Sequence, residues 1–222
     1  MKKHFKILLL LVTVLTGVNT YAQTDPLKGK RIAVIGDSYV RNHAEPVENT
    51  WHYKFAQKHQ MEYFNYGING NSIAYSSPRW KEAVYLRYKN MEDRLDYILV
   101  IGGHNDCYKL DSIGGIDVFK ERLSILCDGL IARYPTAKIY FFTRWICKDF
   151  KGSNSEKVID AMLEVCRNHG IAILDCAREG SIYAQSDEFR KIYFQSPGDD
   201  AHLNTKGHDR FLEVAEPFIL TH

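Results

Sequence analysis

Four short apolar runs punctuate the chain: Arg31–Gly36 (RIAVIG), Tyr97–Ile101 (YILVI), Lys138–Phe142 (KIYFF) and residues 171–174 (IAIL). Apolar runs without polar alternation read as strands buried on both faces. Residues 61–66 (MEYFNY) carry a weaker strand pattern, broken by Glu62 and Asn65. Between these runs, apolar residues recur at helical spacing. Val47, Trp51 and Phe55 follow Pro46, which suits an early helical position. Asp117 is placed to cap a helix whose Phe119, Leu123, Leu126 and Leu130 share one face. Ser153 and Glu156 have capping-box spacing ahead of Ile159, Met162 and Cys166, and Gly170 ends that helix. Asn204 or Thr205 starts a last helix with Phe211, Ala215 and Phe218 inward.

Strands alternating with helices imply a parallel sheet covered on both faces. Right-handed crossovers then give a three-layer α/β/α sandwich around a mainly parallel five-stranded sheet. Ligands in such sheets bind beyond the carboxyl ends of the strands. The loops after Gly36, Tyr66, Ile101 and Leu174 are therefore where chemistry is expected. Residues 176–198 form a longer irregular stretch that could border the same end. No linker, internal repeat or low-complexity tract interrupts the pattern.

The first 22 residues change the picture. Lys2, Lys3 and Lys6 precede an apolar run at 7–12, which fades through Thr13, Thr16 and Gly17, and Ala22 stands just before Gln23. A basic start, a short apolar region and a small residue at a cleavage point make a secretory signal peptide over residues 1–22, leaving one domain over 23–222. An uncleaved membrane anchor is the alternative, and the run is short for one. No Cys follows Ala22, which argues against a lipid-anchored form. The expected location is outside the cytoplasm, periplasmic or extracellular, with no stable membrane insertion after the signal is removed. Removal takes three lysines and no acids, so the formal charge moves from +2 to −1. A near-neutral chain argues against nucleic acid as a partner. Cys107, Cys127, Cys147, Cys166 and Cys176 are odd in number, without C-x-x-C pairs or His/Cys clusters. They read mostly as buried small residues rather than a dense disulfide framework or a zinc site, with one or two bridges left open in an oxidising compartment.

Four polar segments fall where the fold places chemistry. GDSYV at 36–40 follows the first strand, and its Ser38 is either held at the sheet edge or only terminates the strand. NYGINGNS at 65–72 has glycines that let backbone approach a ligand, or make an ordinary turn. GGHND at 102–106 puts Asn105 where a side-chain N–H can meet developing negative charge, or where it caps a helix. DDAHLNTKG at 199–207 sets a His three residues after an Asp, so that the acid can orient the imidazole and support its positive form. Read alone, that segment is equally a solvated loop. The α/β-hydrolase elbow G-x-S-x-G is absent, since Val40 stands at its second Gly. Neither a P-loop nor a G-x-G-x-x-G after the first strand is present.

Taken in order, these segments resemble the SGNH hydrolases, also called GDSL-like lipases and esterases, over essentially the whole chain from about Lys30. The resemblance implies a flavodoxin-like sandwich and a serine esterase. It implies Ser38 as nucleophile, His202 as general base and Asp199 as its orienting acid. The oxyanion hole it implies is the amides of Ser38 and Gly70 with the Asn105 side chain. It implies no metal or organic cofactor. Tyr39 departs from the usual Leu or Ile, His104 sits at a variable position with at most a substrate contact, and the D-x-x-H spacing selects Asp199 over Asp200. Export and abundant aromatics point to a carbohydrate ester, although core packing accounts for most of the aromatics. With no long apolar stretch to suit an acyl chain, the expected substrate is an O-acetyl or other short acyl group on a glycan or small molecule. Lipase, lysophospholipase and thioesterase activities are the alternatives within the fold. A non-catalytic carbohydrate-binding protein is the alternative outside it, and it would be marked by a missing triad member.

Overall fold

The computed structural model describes residues 25–79 and 82–222; the expected signal peptide lies outside the described residues. The apolar runs form one sheet of β1 (Arg31–Gly36), β2 (Glu62–Gly67), β3 (Tyr97–Ile101), β4 (Lys138–Phe142) and β5 (Ala172–Leu174). The spatial order is β2-β1-β3-β4-β5 and every pairing is parallel. In register, Ile32 lies between Tyr63 and Tyr97, Leu99 opposes Tyr140, and Phe142 opposes Leu174.

Successive residues of the inner strands feed opposite cores, as strand geometry requires. Ala33, Ile35, Ile98, Val100 and Phe141 face one way. Ile32, Val34, Leu99, Ile101, Tyr140 and Phe142 face the other. Among the described residues, eight helices complete the three layers: α1 (Ser38–Arg41), α2 (Trp51–Lys58), α3 (Val84–Arg87), α4 (His104–Ile113), α5 (Ile116–Arg133), α6 (Asn154–Asn168), α7 (Asp187–Tyr193) and α8 (Thr205–Thr221). Leu110, Phe119, Leu126, Val158 and Met162 bring α4, α5 and α6 onto the first face. Trp51, Phe55, Phe211 and Ala215 bring α2 and α8 onto the second.

Several boundaries differ from expectation, each for a local reason. The weak pattern of β2 is that of an edge strand, exposed to half-buried along its length. Asp117 does not cap α5. Gly114 and Gly115, at φ 103° and 93°, turn the chain sharply, so the helix starts at Ile116 and Asp117 sits in its first turn. Pro46 leads into a 3-10 turn at Val47–Asn49, and Thr50 caps α2 by accepting the Tyr53 amide. That break takes Val47 off the buried face of Trp51 and Phe55. Ser153 caps α6, but Glu156 reaches back to the Gly152 amide rather than that of Ser153. Asn204 caps α8 by accepting the Gly207 amide, and Phe218 packs inward on Tyr140 and Phe142, as expected, beside the still more deeply buried Ile219. The stretch 176–198 contains α7, after which Phe194 bridges Leu203. All five cysteines are free thiols, and Cys107, Cys127, Cys166 and Cys176 are buried in the cores.

The chain winds from β1 to β2 on one side and then returns to place β3 on the other. The strand order therefore reverses between β1 and β3. In a doubly wound sheet the crevice beyond the carboxyl ends at that point receives ligands.

Candidate active site

The loop leaving β1 turns at once into α1. A helix of four residues cannot hold itself, and α1 is fixed at both ends. Asp37 Oδ1 accepts the Tyr39 amide at 2.9 Å. Asn42, in the left-handed region at φ 69°, donates its amide to Ser38 O and its Nδ2 to Pro46 O. Gly67 at the end of β2 lets α1 lie against that strand, because a Cβ there would sit 2.3 Å from Arg41 N. Ser38 is thereby held as the first residue of α1, with its amide making no hydrogen bond among the described residues.

The loop after β2 brings Gly70 to the same edge at φ 74°, a conformation that favours glycine. Two buried charges fix this loop from behind. Arg87 donates to Asn71 Oδ1, Tyr66 O and Gly36 O at 2.9, 2.6 and 2.5 Å, tying the ends of β1 and β2 to the loop. Asp106 on α4 accepts the amides of Ile73 and Ala74 at 2.9 and 2.8 Å. One residue before Asp106, Asn105 Nδ2 donates to Asn71 O at 2.8 Å and to Asp37 Oδ2 at 3.2 Å. The loops after β1, β2 and β3 thus meet at Asn105.

Across the crevice, His202 Nε2 lies 2.8 Å from Ser38 Oγ, and its Nδ1 donates to Asp199 Oδ2 at 2.8 Å. Asp199 Oδ1 accepts the amides of Ala201 and His202 at 2.8 and 2.9 Å. Burial raises the Asp199 carboxyl, but these hydrogen bonds and the neighbouring imidazole outweigh it and hold the group below its ordinary value. Asp200 turns away, with Oδ2 3.9 Å from the buried Arg144. A cavity of about 480 Å³ opens over the serine, lined by Ser38, His43, Asn69, Gly70, His104, Asn105, Lys109 and His202. The five residues singled out from the sequence, Ser38, Gly70, Asn105, Asp199 and His202, therefore converge on one crevice. Such a serine–imidazole–carboxylate chain beside free amides can activate a hydroxyl and receive an oxyanion.

Residues 34–210 match the GDSL-like lipase/acylhydrolase family. The chain belongs to that family. Membership makes this GDSL-like hydrolase a carboxylic ester hydrolase. A Lactobacillus plantarum protein is 24% identical, with a TM-score of 0.73 over 88% of this chain and 98% of that one. A carbohydrate esterase family 2 enzyme with a carbohydrate binding domain, from Corynascus thermopiles (Myceliophthora fergusii), is 16% identical, with a TM-score of 0.64 over 88% of this chain and 67% of that one. TesA is 16% identical, with a TM-score of 0.65 over 86% of this chain and 98% of that one. At such identities these likenesses establish the fold. No curated protein matches the chain closely enough to count as a relative.

This GDSL-like hydrolase surrounds its serine with groups that no sequence spacing announces. The His43 ring stacks on His202 with centroids 4.1 Å apart and planes 16° from parallel. His43 itself sits at φ 49°. Tyr39, in place of the usual aliphatic residue, packs against Trp145, His104 and His202. Its hydroxyl lies 3.3 Å from His104 Nδ1. Burial, with the charges of Arg144 and His202, lowers His104 to about 3, so this imidazole is neutral in ordinary buffers. Burial lifts Asp37 to about 7 and Asp106 to about 6, against the amides each accepts. Burial also draws Arg87 down to about 10, with Asp37 acting the other way. Among the described residues, no group of His, Cys, Asp or Glu is placed to hold a metal ion, and no helix is long and apolar enough to cross a membrane.

Proposed function

We propose that this hydrolase is an exported serine esterase that removes O-acetyl or other short acyl groups from carbohydrates. The observation that carries the reading is the hydrogen-bonded chain Ser38–His202–Asp199 beside a cavity lined, among the described residues, by no Leu, Ile, Val, Met or Phe. Imidazole rings and backbone rather than long aliphatic side chains form much of its wall, and a short acyl group fits such a lining. Fold similarity to a carbohydrate esterase family 2 enzyme supports the same direction.

In the proposed reaction Ser38 Oγ attacks the ester carbonyl as its proton passes to His202 Nε2. Asp199 keeps Nδ1 protonated, so that Nε2 is free to accept. The negative oxygen of the tetrahedral intermediate is received by the amides of Ser38 and Gly70 and by Asn105 Nδ2. Asn105 spends its two hydrogens on Asn71 and Asp37 in the resting protein, and the Asp37 bond is the longer. That is the bond an incoming oxyanion displaces. His202 then protonates the leaving alcohol, and water repeats the sequence on the acyl-enzyme.

Three measurements test the reading. A fluorophosphonate probe should label Ser38 in the folded protein and fail to label Ser38→Ala; equal labelling of both excludes Ser38 as nucleophile. In a substrate panel, acetylated oligosaccharides and short nitrophenyl esters should be hydrolysed far faster than long-chain esters, and the reverse order would favour a lipase. Export predicts a mature N-terminus at Gln23, read by sequencing the secreted protein.

A further inference from the structure

A second cavity, of about 380 Å³, lies beside the first and is not used by the proposed triad. Tyr108, Lys148, Ser155, Arg190 and Asp200 are among its lining residues. Tyr108 lines this cavity and touches His104, which lines the first. It stands one turn beyond His104 on α4, meets that ring edge to face at 5.3 Å, and is 67% exposed, a large aromatic surface left to solvent. On the other side, Asp200 is the chain neighbour of Asp199, so a ligand in this cavity remains tied to the ester site.

The chemistry of the cavity is specific. Lys148 and Arg190 are both paired with Asp187, at 2.8 and 2.5 Å, and Arg190 also donates to Pro197 O and Ala184 O. Lys148 and Arg190 share that one carboxylate, and Asp149 and Asp200 on the cavity lining offset the remaining positive charge together with that of Arg144, which argues against an anionic ligand. Beneath the cavity, Arg144 is 1% exposed; its Nη1 donates to Ser155 Oγ and its Nη2 has no hydrogen-bond partner. That Nη2 lies 3.9 Å from Asp200 Oδ2. The Asp200 carboxylate is thus held by charge, while its oxygens accept no hydrogen bond among the described residues. An open aromatic face and a part-exposed carboxylate lining the same cavity suit a ligand with one apolar face and a rim of hydroxyls, which is the form of a neutral pyranose.

We propose that this cavity is a sugar subsite for the alcohol side of the ester, with Tyr108 as stacking platform and Asp200 as acceptor of ring hydroxyls. It rests on the carbohydrate-ester reading above, because only the alcohol portion of a short acyl ester can extend so far. An oligosaccharide acetylated at the ring over Ser38 places a neighbouring sugar on Tyr108.

The test separates this subsite from the activity. Acetylated xylo-, manno- and cello-tetraose are titrated into Ser38→Ala, which cannot turn them over, and into the same protein carrying Tyr108→Ala or Asp200→Asn. At least one sugar should bind, and Tyr108→Ala should weaken it about tenfold, the scale of one lost aromatic contact. Asp200→Asn should weaken it several-fold by removing the charge from its hydrogen bonds. In the Ser38-containing enzyme, Tyr108→Ala should lower the ratio of kcat/KM for the acetylated tetrasaccharide to that for the acetylated monosaccharide by a similar factor. Unchanged binding and an unchanged ratio in Tyr108→Ala overturn the subsite, and so does the failure of every sugar to bind Ser38→Ala. If Ser38→Ala binds a sugar through Tyr108 but the intact enzyme releases no acetate from any of them, the subsite stands and the ester reading fails.

Discussion

Asp37 offers a quantitative test of how the serine loop is held. The residue is 2% exposed, between the Tyr39 amide and Asn105 Nδ2. Burial lifts its carboxyl from 3.8 to about 7; Asp106 adds to the rise, while the Tyr39 amide, His202 and Arg87 oppose it. The folded protein therefore holds this proton more tightly than the unfolded chain does. The resulting stabilisation is complete below the unfolded value and is lost as pH rises through the folded one. About three pKa units correspond to about 4 kcal/mol in all, of which roughly 2–3 kcal/mol disappears between pH 5 and pH 8. Asp37→Asn cannot ionise. It carries a fixed penalty from an amide set against Asn105 Nδ2, but no dependence of its own on pH. Urea unfolding of both proteins, followed by tryptophan fluorescence at intervals from pH 5 to pH 8, gives the difference in stability at each pH. Taking the difference cancels the other buried groups, including His52, His104 and His208, whose lowered pKa values act with opposite sign and lose stability as pH falls. The advantage of the wild type over Asp37→Asn should shrink by roughly 2–3 kcal/mol across this range. A difference that stays constant would mean that Asp37 is ionised throughout and that burial does not govern it.

Asn105→Ala should lower kcat on nitrophenyl acetate by roughly 10²–10³ with KM little changed; a kcat within threefold of wild type would remove Asn105 from the oxyanion hole. His43→Ala should reduce kcat about tenfold by freeing the His202 ring, within the range that small misplacements of a reacting group can reach, and His43→Phe should recover most of the loss because it restores a flat stacking partner. Failure of Phe to rescue would refute a positioning role for the stack. Trp145→Phe keeps most of a buried aromatic side chain but deletes the Nε1 hydrogen bond to Ala201 O at 2.9 Å. It should lower kcat several-fold and move Tm by only a few degrees, and an unchanged kcat would show that the 199–202 loop needs no support from that side.

The parts of the molecule that depend on one local stretch of chain were legible in the sequence. β1 and β3 are buried at every residue but the first, so their apolar runs were unbroken. β2 is an edge strand, and its half-buried residues tolerate the polar ones that weakened its pattern. The cap of α5 was misplaced because the left-handed pair Gly114–Gly115 sets the helix start, and a glycine turn of this kind leaves no mark on apolar spacing. The site residues read from the sequence each lie in a short segment at a strand end or before the last helix. Arg87 and His43 do not. Arg87 acts on Gly36 from 51 residues away, and His43 meets His202 only once both ends of the chain are in place.

The same distinction bears on how the site stays aligned. Ser38 and His202 are 164 residues apart and separated by 2.8 Å. Neither is aligned by its own segment alone. Ser38 stands on a helix of one turn that is clamped by Asp37, Asn42 and the bare backbone of Gly67. His202 precedes α8 and is held by Asp199, by Trp145 from beyond β4, and by the Gln195 amide, which donates to its carbonyl at 2.9 Å. Each hold is one or two hydrogen bonds, and such bonds contribute about 1 kcal/mol apiece. The barrier to misalignment is therefore small beside the stability of the two apolar cores. Loss of activity on heating or in mild denaturant should thus precede loss of the fold, because the hydrogen bonds that align Ser38 and His202 can open while the sheet and the cores on its two faces remain packed.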